Sequence, residues 1–122
     1  MRADPNYAAA HHGYGLVLAL TKQNARAVAA LRTAARLEPT RERLHTDIAD
    51  VLAAAGNSRE AMAEYGLALE ADPNDFDAHF GLAELLLVQG RTAQAIPHLQ
   101  AAATSPDRAL SEAAKARLSA FR

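Results

Sequence analysis

Residues 39–72 read PTRERLHTDIADVLAAAGNSREAMAEYGLALEAD, and the pattern of this stretch recurs before and after it. Pro5, Pro39 and Pro73 share one spacing, because 39 − 5 and 73 − 39 both equal 34 residues. Small residues recur ten and twenty-two positions after each proline, at Gly15, Ala49 and Ala83 and at Ala27, Ala61 and Ala95. A fixed period of this length is typical of repeat proteins, in which stacked units build extended binding surfaces.

Each unit is predicted to contain two helices, because apolar residues recur at helical spacing and no stretch alternates as a strand would. The first helices are predicted at Tyr7–Thr21, Arg41–Ala55 and Asp75–Gln89, and the second helices at Asn24–Leu37, Ser58–Ala71 and Thr92–Thr104. Gly56 and Gly90 follow the first helices of their units, where a left-handed residue commonly closes a helix. Lys22 has this place in the first unit, which predicts a strained or different turn there.

The two ends of the repeat array differ in their sequence signals. Ala3-Asp4-Pro5-Asn6 repeats Ala71-Asp72-Pro73-Asn74, where a predicted helix ends, so we expect an open N-terminal end that lacks a neighbouring helix. At the other end, Ser105 and Pro106 are typical of an N-cap and a first helical position. A capping helix is predicted to follow, with one apolar stripe that consists of Leu110, Ala114, Leu118 and Phe121. Ser111 is predicted to lie outside this stripe.

Composition excludes several kinds of function. A formal net charge of −1 gives no overall attraction to nucleic acid, and no apolar run is long enough to predict membrane insertion. The chain has no cysteine, which excludes disulfides and thiolate metal sites but leaves the compartment open. Met1-Arg2-Ala3-Asp4-Pro5 is unlike a secretory signal, which favours the cytoplasm over the periplasm unless a signal lies outside this sequence. No nucleophile beside a base, glycine-rich phosphate loop or metal-spaced cluster is found, so we expect neither an enzyme nor a bound cofactor or metal.

A column of histidines, His11, His45 and His79, recurs six residues after each proline. One interpretation is a metal site or a proton switch. Packed helices lie ~8–10 Å apart, so three equivalent side chains on successive repeats are too distant to share one ion. We therefore expect each ring to pack between helices and to form a local hydrogen bond. His98 stands outside the column and receives no predicted role.

The columns together resemble the tetratricopeptide repeat family. The resemblance is carried by the two small-residue columns, by alanines at 34, 68 and 102, and by the prolines that end the units. It implies an all-α, right-handed α-solenoid of three helix-turn-helix units followed by a C-terminal capping helix. It also implies a single domain over 1–122, with repeats at about 5–38, 39–72 and 73–106 and the capping helix at about 106–121.

In this family the first helices line the concave face, so the resemblance implies a partner-binding groove there. Positions four, seven, eleven and fourteen after each proline share one helix face. The candidate partner-binding residues on that face are His12, Leu16, Arg43, Thr46, Asp50, Asp77, Phe80, Glu84 and Leu87. An aromatic ring beside carboxylates suits a peptide or partner helix that carries apolar anchors and basic residues. The alternative is a merely solvated helix face.

One binding mode of the family can be tested on the sequence. Its co-chaperone members hold the C-terminal carboxylates of heat-shock proteins in a clamp of lysine, asparagine and arginine side chains. The corresponding positions in this chain are His12, Leu16, Asp47, Asp77 and Gly81. None of them matches the clamp, and the two aspartates would repel a carboxylate tail. We therefore reject this mode.

The sequence thus predicts a protein-interaction scaffold. A second hypothesis is a recruiting or regulatory arm of a larger enzyme, such as a glycosyltransferase or a sulfotransferase. A third is self-association, because a basic first unit precedes an acidic stretch and the N-terminal end is open. Solvated helix surfaces are the plainer interpretation of the same charges. The alanine- and arginine-rich composition favours a bacterial source.

Overall fold

The computed structural model describes residues 5–121, with side chains from Tyr7 onward. Within that range the chain forms seven α-helices and no strand. The helices are α1 (Pro5–Leu20), α2 (Asn24–Leu37), α3 (Leu44–Ala54), α4 (Ser58–Ala71), α5 (Phe76–Val88), α6 (Thr92–Ala102) and α7 (Arg108–Ser119). The all-α prediction is confirmed. The predicted open N-terminal end depends on Ala3 and Asp4, which lie outside the described residues.

The helix bounds follow the predicted ones closely, with one difference of note at α3. This helix was predicted to begin at Arg41 and begins at Leu44, because Arg43 adopts a left-handed backbone conformation with φ 69°. A residue in that conformation cannot continue a right-handed helix. At α5, Asp75 is the N-cap and its side chain accepts a hydrogen bond from the Ala78 N–H at 3.0 Å.

The chain divides into two compact units, residues 1–64 and residues 65–122. In the first unit α2 packs against both α1 and α3, and in the second α6 packs against both α5 and α7. The largest fully buried side chains include Leu31, Leu44 and Ile48 in the first unit and Leu99 in the second. The single domain over 1–122 stays a prediction.

Small residues let paired helices approach closely in both units. A Cβ placed on Gly15 would lie 2.8 Å from Leu31 Cγ and 3.2 Å from the Ala27 carbonyl oxygen, so α1 and α2 meet where a side chain has no room. In the second unit, a Cβ on Gly81 would overlap the ring of Tyr65 and lie 2.8 Å from its Cε1. Gly15 and Ala27, which belong to the small-residue columns, therefore mark a helix contact, as ridge-into-groove packing requires, and Gly81 marks another outside those columns.

The turns after the first helices share one backbone conformation. Gly56 and Gly90 have φ values of 86° and 76°, which confirms the left-handed closure predicted for them. Lys22 occupies the equivalent place with φ 62°. The first turn therefore keeps the geometry of the other two and places a side chain where glycine is favoured, which confirms the predicted strain.

The start of α7 corrects two sequence predictions. The N-cap is Asp107 and not Ser105, because the Asp107 carboxylate accepts from the Ala109 and Leu110 N–H groups. The Ser105 hydroxyl instead accepts from the Asp107 N–H at 3.1 Å. Ser111, predicted to lie off the packed stripe, is buried and donates its hydroxyl to the Ala103 carbonyl at 2.8 Å.

The predicted apolar stripe of α7 is buried only in part. Ala114 is fully buried, whereas Phe121 is 43% exposed. A short side chain at the centre of the stripe allows α7 to pack closely, and the longer side chains remain at the edges of the contact.

Candidate functional site

In the C-terminal unit, α5 presents four of the predicted partner-binding residues on one face. Asp77, Phe80, Glu84 and Leu87 are spaced three, four and three residues apart, which places them along one side of a helix. Asp77 is exposed and the other three are partly exposed. This α5 face, defined by these four residues, therefore brings an aromatic ring and an aliphatic side chain to the surface beside two carboxylates.

One carboxylate of the α5 face already binds a guanidinium group. Arg117 on α7 places Nε 2.9 Å from Glu84 Oε1 and donates from Nη2 to Oε2 at 3.1 Å. The pair is therefore held by one charge-assisted hydrogen bond and a second close ionic contact. The pairing was not predicted, because the two residues are 33 positions apart in the sequence.

In the N-terminal unit the predicted face is accessible only in part. Leu16 is 41% exposed, and Arg43 and Asp50 are exposed. His12 is only 9% exposed and Thr46 is fully buried, so these two residues do not lie on an accessible surface. Thr46 is buried because α3 is covered around most of its circumference. The buried residues of this helix are Leu44, Thr46, Ile48, Ala49, Val51 and Leu52.

His12 belongs to a buried polar network. Arg41 Nε donates to His12 Nδ1 at 2.9 Å, so the ring hydrogen of the neutral histidine is on Nε2. Nε2 in turn donates to Asp47 Oδ2 at 2.6 Å, and Arg43 Nη2 lies 3.9 Å from the other oxygen of that carboxylate. His12, Arg41 and Asp47 link α1 to the turn before α3 and to α3 itself. This network accounts for His12 as a structural residue, which sequence spacing alone did not indicate.

The histidine column makes local hydrogen bonds, as predicted, at two of its three positions. His45 Nδ1 lies 2.8 Å from Glu64 Oε2, and His79 Nδ1 lies 2.9 Å from His98 Nδ1. Both partners lie 19 residues further along the chain. His11 differs because residue 30 is an alanine, and its ring meets the Tyr7 ring edge-on at 4.6 Å.

The structure therefore shows a hydrogen-bond partner for His98, a residue for which the sequence predicted no role. Burial lowers the pKa of His98 from its ordinary value of 6.5, and the neighbouring His79 lowers it further. The common offset of 19 residues was visible in the sequence and could have identified the pair.

An exposed apolar surface on α1 was not predicted from the sequence. Tyr14 stands in a column that is otherwise apolar, with Ile48 and Leu82, yet it is 51% exposed, whereas Ile48 is 1% exposed. The sequence of α1 contains no aspartate, glutamate, lysine or arginine. Its exposed large apolar side chains are Tyr7, Tyr14, Leu16, Val17 and Leu20. A helix that is apolar on all sides normally has a partner on each of them.

The described part of the chain contains neither a cluster of metal ligands nor a membrane-spanning helix. Among residues 5–121, no group of three or more histidine, aspartate or glutamate side chains is arranged to hold a metal ion. In the same range, no helix has both the length and the apolar character that a membrane crossing needs.

Comparison with solved structures supports the helix-turn-helix repeat fold. The type III secretion translocator chaperone SycD of Yersinia enterocolitica aligns with a TM-score of 0.88 at 19% identity, over 96% of this chain and 91% of that chain. The TPR2B domain of yeast Sti1, solved in complex with pHsp70, aligns with a TM-score of 0.81 at 24% identity, over 95% and 98%. MamA from AMB-1 aligns with a TM-score of 0.70 at 24% identity, over 80% of this chain and 54% of that one. At these identities the likeness shows the fold.

Sequence comparison identifies the family. No curated protein is similar enough in sequence to match the chain. A family model described as tetratricopeptide repeat matches residues 46–114, which is more than half of the chain. This match agrees with the 34-residue period, the paired helices and the small-residue contacts between them. The chain therefore belongs to the tetratricopeptide repeat family, whose stacked units serve as protein-interaction scaffolds.

Proposed function

We propose that the chain is a non-catalytic scaffold that binds a peptide or a partner helix on the exposed faces of its first helices. The observation that carries this proposal is the α5 face, where Phe80 and Leu87 reach the surface beside Asp77 and Glu84. A small number of side chains that a partner fully desolvates, aromatic ones prominent among them, supply most of the binding energy at protein interfaces. A solved structural neighbour, the TPR2B domain of Sti1, is itself a complex with pHsp70, which supports this use of the fold.

The chemistry of the α5 face favours a partner with apolar anchors and basic side chains. Glu84 already accepts the guanidinium of Arg117 through two contacts, and Asp77 adds a second negative charge one turn before Phe80. An arginine or lysine of a partner would meet these carboxylates with the sign of charge that favours association. A partner arginine at Glu84 would have to share or displace Arg117.

The same charges argue against a carboxylate-bearing tail as partner. Two of the positions that correspond to the family's clamp are Asp47 and Asp77. Asp47 is held by His12 at 2.6 Å, so its carboxylate is fixed in place by the folded unit. A negatively charged tail would meet repulsion there, and we propose that this chain takes partners of the opposite charge.

Fluorescence anisotropy tests the α5 face. The probe is a fluorescein-labelled amphipathic peptide with leucines on one helical face and lysines on the other. Phe80→Ala combined with Asp77→Asn is expected to weaken binding by roughly tenfold, or about 1.4 kcal/mol, since a desolvated aromatic anchor is worth at least that much. Glu84 is left intact because its substitution would also release Arg117.

A matched pair on α4 provides the control. Leu67→Ala with Glu70→Gln removes an exposed apolar side chain and a carboxylate at the same spacing of three residues. This variant is expected to bind the peptide as the parent chain does. Equal affinity of the α4 and α5 variants, both with unchanged helix content by circular dichroism, would reject the α5 face as the binding surface.

A second candidate function, self-association, is favoured by the exposed apolar side of α1. Val17 is 56% exposed and Leu20 is 83% exposed, and no charged residue occurs along the helix. Two copies of α1 can therefore meet across a two-fold axis without repulsion between like charges. A second copy would cover the surface that α2 and α3 leave open.

Sedimentation equilibrium across a concentration series tests this candidate. The parent chain is expected to show a dimer that Val17→Glu with Leu20→Glu converts to monomer, because buried carboxylates at the interface would be unpaired. A parent chain that is monomeric at every concentration would reject self-association and leave the peptide-binding proposal unaffected.

A further inference from the structure

The ion pair between Glu84 and Arg117 lies in the middle of the α5 face. Glu84 is four residues after Phe80 and three before Leu87, so it lies between the two apolar side chains along one side of the helix. Arg117 Nη2 donates to Glu84 Oε2 at 3.1 Å, and Arg117 Nε lies 2.9 Å from Oε1. A partner that covers both Phe80 and Leu87 must therefore also meet this ion pair.

Arg117 satisfies the carboxylate of Glu84 only in part. Glu84 Oε1 is buried and accepts no hydrogen bond from the described residues, although Arg117 Nε lies against it. A buried acceptor without a donor costs free energy, so this carboxylate keeps the capacity to accept a second donor. A donor of a partner can reach Oε1 only after the Arg117 side chain, which contacts this oxygen, has moved.

The side chain of Arg117 can move while α7 stays packed. Ala114, one turn earlier on the helix, is fully buried. Ser111 donates its hydroxyl to the Ala103 carbonyl oxygen at 2.8 Å, and these two contacts hold the helix in place. The Arg117 side chain is 53% exposed and that of Glu84 is 33% exposed. Ion pairs that are this accessible to solvent contribute little to stability, so another cation can replace Arg117 at small cost.

We propose that Arg117 competes with the partner for Glu84 and so limits the affinity of the α5 face for basic partners, an inference that rests on the function proposed above. While Arg117 contacts Glu84, its positive charge opposes the approach of a partner's lysine or arginine. Full binding requires that the partner displace this guanidinium from the carboxylate. Arginine suits this exchange better than lysine, because its guanidinium can make two contacts with one carboxylate.

Fluorescence anisotropy with the leucine–lysine peptide described above tests this competition. The salt concentration is about 0.15 M, where charges more than about 8 Å apart are largely screened. Arg117→Gln removes the competing charge and is expected to tighten binding by about two- to fivefold, the range typical of an exposed ion pair. In a chain that already carries Glu84→Gln, the same substitution is expected to have no effect, because the carboxylate for which Arg117 competes is gone.

Lys115→Gln is the matched control for Arg117→Gln. It removes one exposed positive charge from the same helix, two residues before Arg117 and therefore on another side of α7. This variant is expected to bind the peptide as the parent chain does, and all variants are compared by circular dichroism. An affinity that Arg117→Gln leaves unchanged or lowers, or that Lys115→Gln raises by the same factor, would overturn the proposal.

This inference and the proposed function fail in distinguishable ways. Phe80→Ala with Asp77→Asn reports whether the peptide uses the α5 face. If this double variant binds more weakly but Arg117→Gln does not bind more tightly, the competition is rejected and the α5 face remains the binding surface. If the double variant binds as the parent chain does, both proposals are rejected, whatever the effect of Arg117→Gln.

Discussion

The side chain of Asp47 accepts the Nε2–H of a histidine that is only 9% exposed. Asp47→Ala would leave the buried His12 N–H without an acceptor. We expect the free energy of unfolding to fall by about 1–3 kcal/mol, the usual cost of an unsatisfied buried polar group. Urea denaturation measures this change. Glu42→Ala, an exposed carboxylate on the preceding turn, is expected to change stability far less; equal losses for both variants would contradict the network.

His98 makes the stability of the chain depend on pH. Its pKa in the folded chain is lowered by burial and by His79, whereas the unfolded chain titrates near 6.5. As the pH falls below 6.5, the unfolded state takes up the proton before the folded state does, so the free energy of unfolding decreases. Above 6.5 both states are neutral and this loss is absent.

Urea denaturation at several pH values between about 5 and 8 measures this dependence. His98→Gln is expected to flatten the decrease, whereas His11→Gln is expected to retain it. A profile that is the same for His98→Gln and the parent chain would show that His98 does not contribute.

Single residues were predictable where the repeat period fixes their place. Gly15 and Ala27 belong to the recurring small-residue columns and lie at a close helix contact in the structure, because the period aligns equivalent packing positions. The hydrogen bonds of Glu84 with Arg117 and of His12 with Asp47 were not predictable from the repeat period. Each pair joins residues at different positions of the repeat, so its formation depends on side-chain rotamers and on where each helix begins.

At the level of elements, the three turns after the first helices allow a matched experiment. Lys22 has φ 62°, while Gly56 and Gly90 hold the same conformation without a side chain. Lys22→Gly is expected to raise the free energy of unfolding by about 1 kcal/mol, because a left-handed conformation is unfavourable for residues with a Cβ atom. Thermal and urea unfolding measure the change.

The reverse substitution is its control. Gly56→Lys is expected to lower the stability by a similar amount, and a Cβ at Gly56 would meet no other atom within 4 Å, so the effect isolates the backbone. This explanation would be contradicted if Lys22→Gly did not raise the free energy of unfolding and Gly56→Lys did not lower it.

Helix positions were predicted well and helix ends less well. The bounds Asn24–Leu37 and Ser58–Ala71 agree with the structure, because apolar periodicity and flanking turn residues agree there. The start of α3 was missed because Arg43 turns left-handed, which no side-chain pattern signals. The N-cap of α7 was placed at Ser105 although Asp107 fills that role, since serine, proline and aspartate each carry a start signal within three residues.

For the whole molecule, the 34-residue period predicted the order of helices and the family, because each unit needs neighbours to bury its apolar side. It could not predict which first-helix surfaces remain open. Thr46 was expected at the surface and is buried, and Tyr14, which shares a column with the buried Ile48, is exposed. The exposure of a residue depends on which elements cover its helix. Most of α3 is covered, whereas one side of α1 is open.

The central claim is that the first helices bind partners. It is tested most directly by nuclear magnetic resonance mapping of the chain with a peptide selected from a random library for binding to it. We expect the selected peptide to contain apolar and basic residues and to cause the largest chemical-shift changes at Leu16, Phe80 and Leu87. Changes confined to α2, α4 and α6, with Leu67 among the largest, would contradict it.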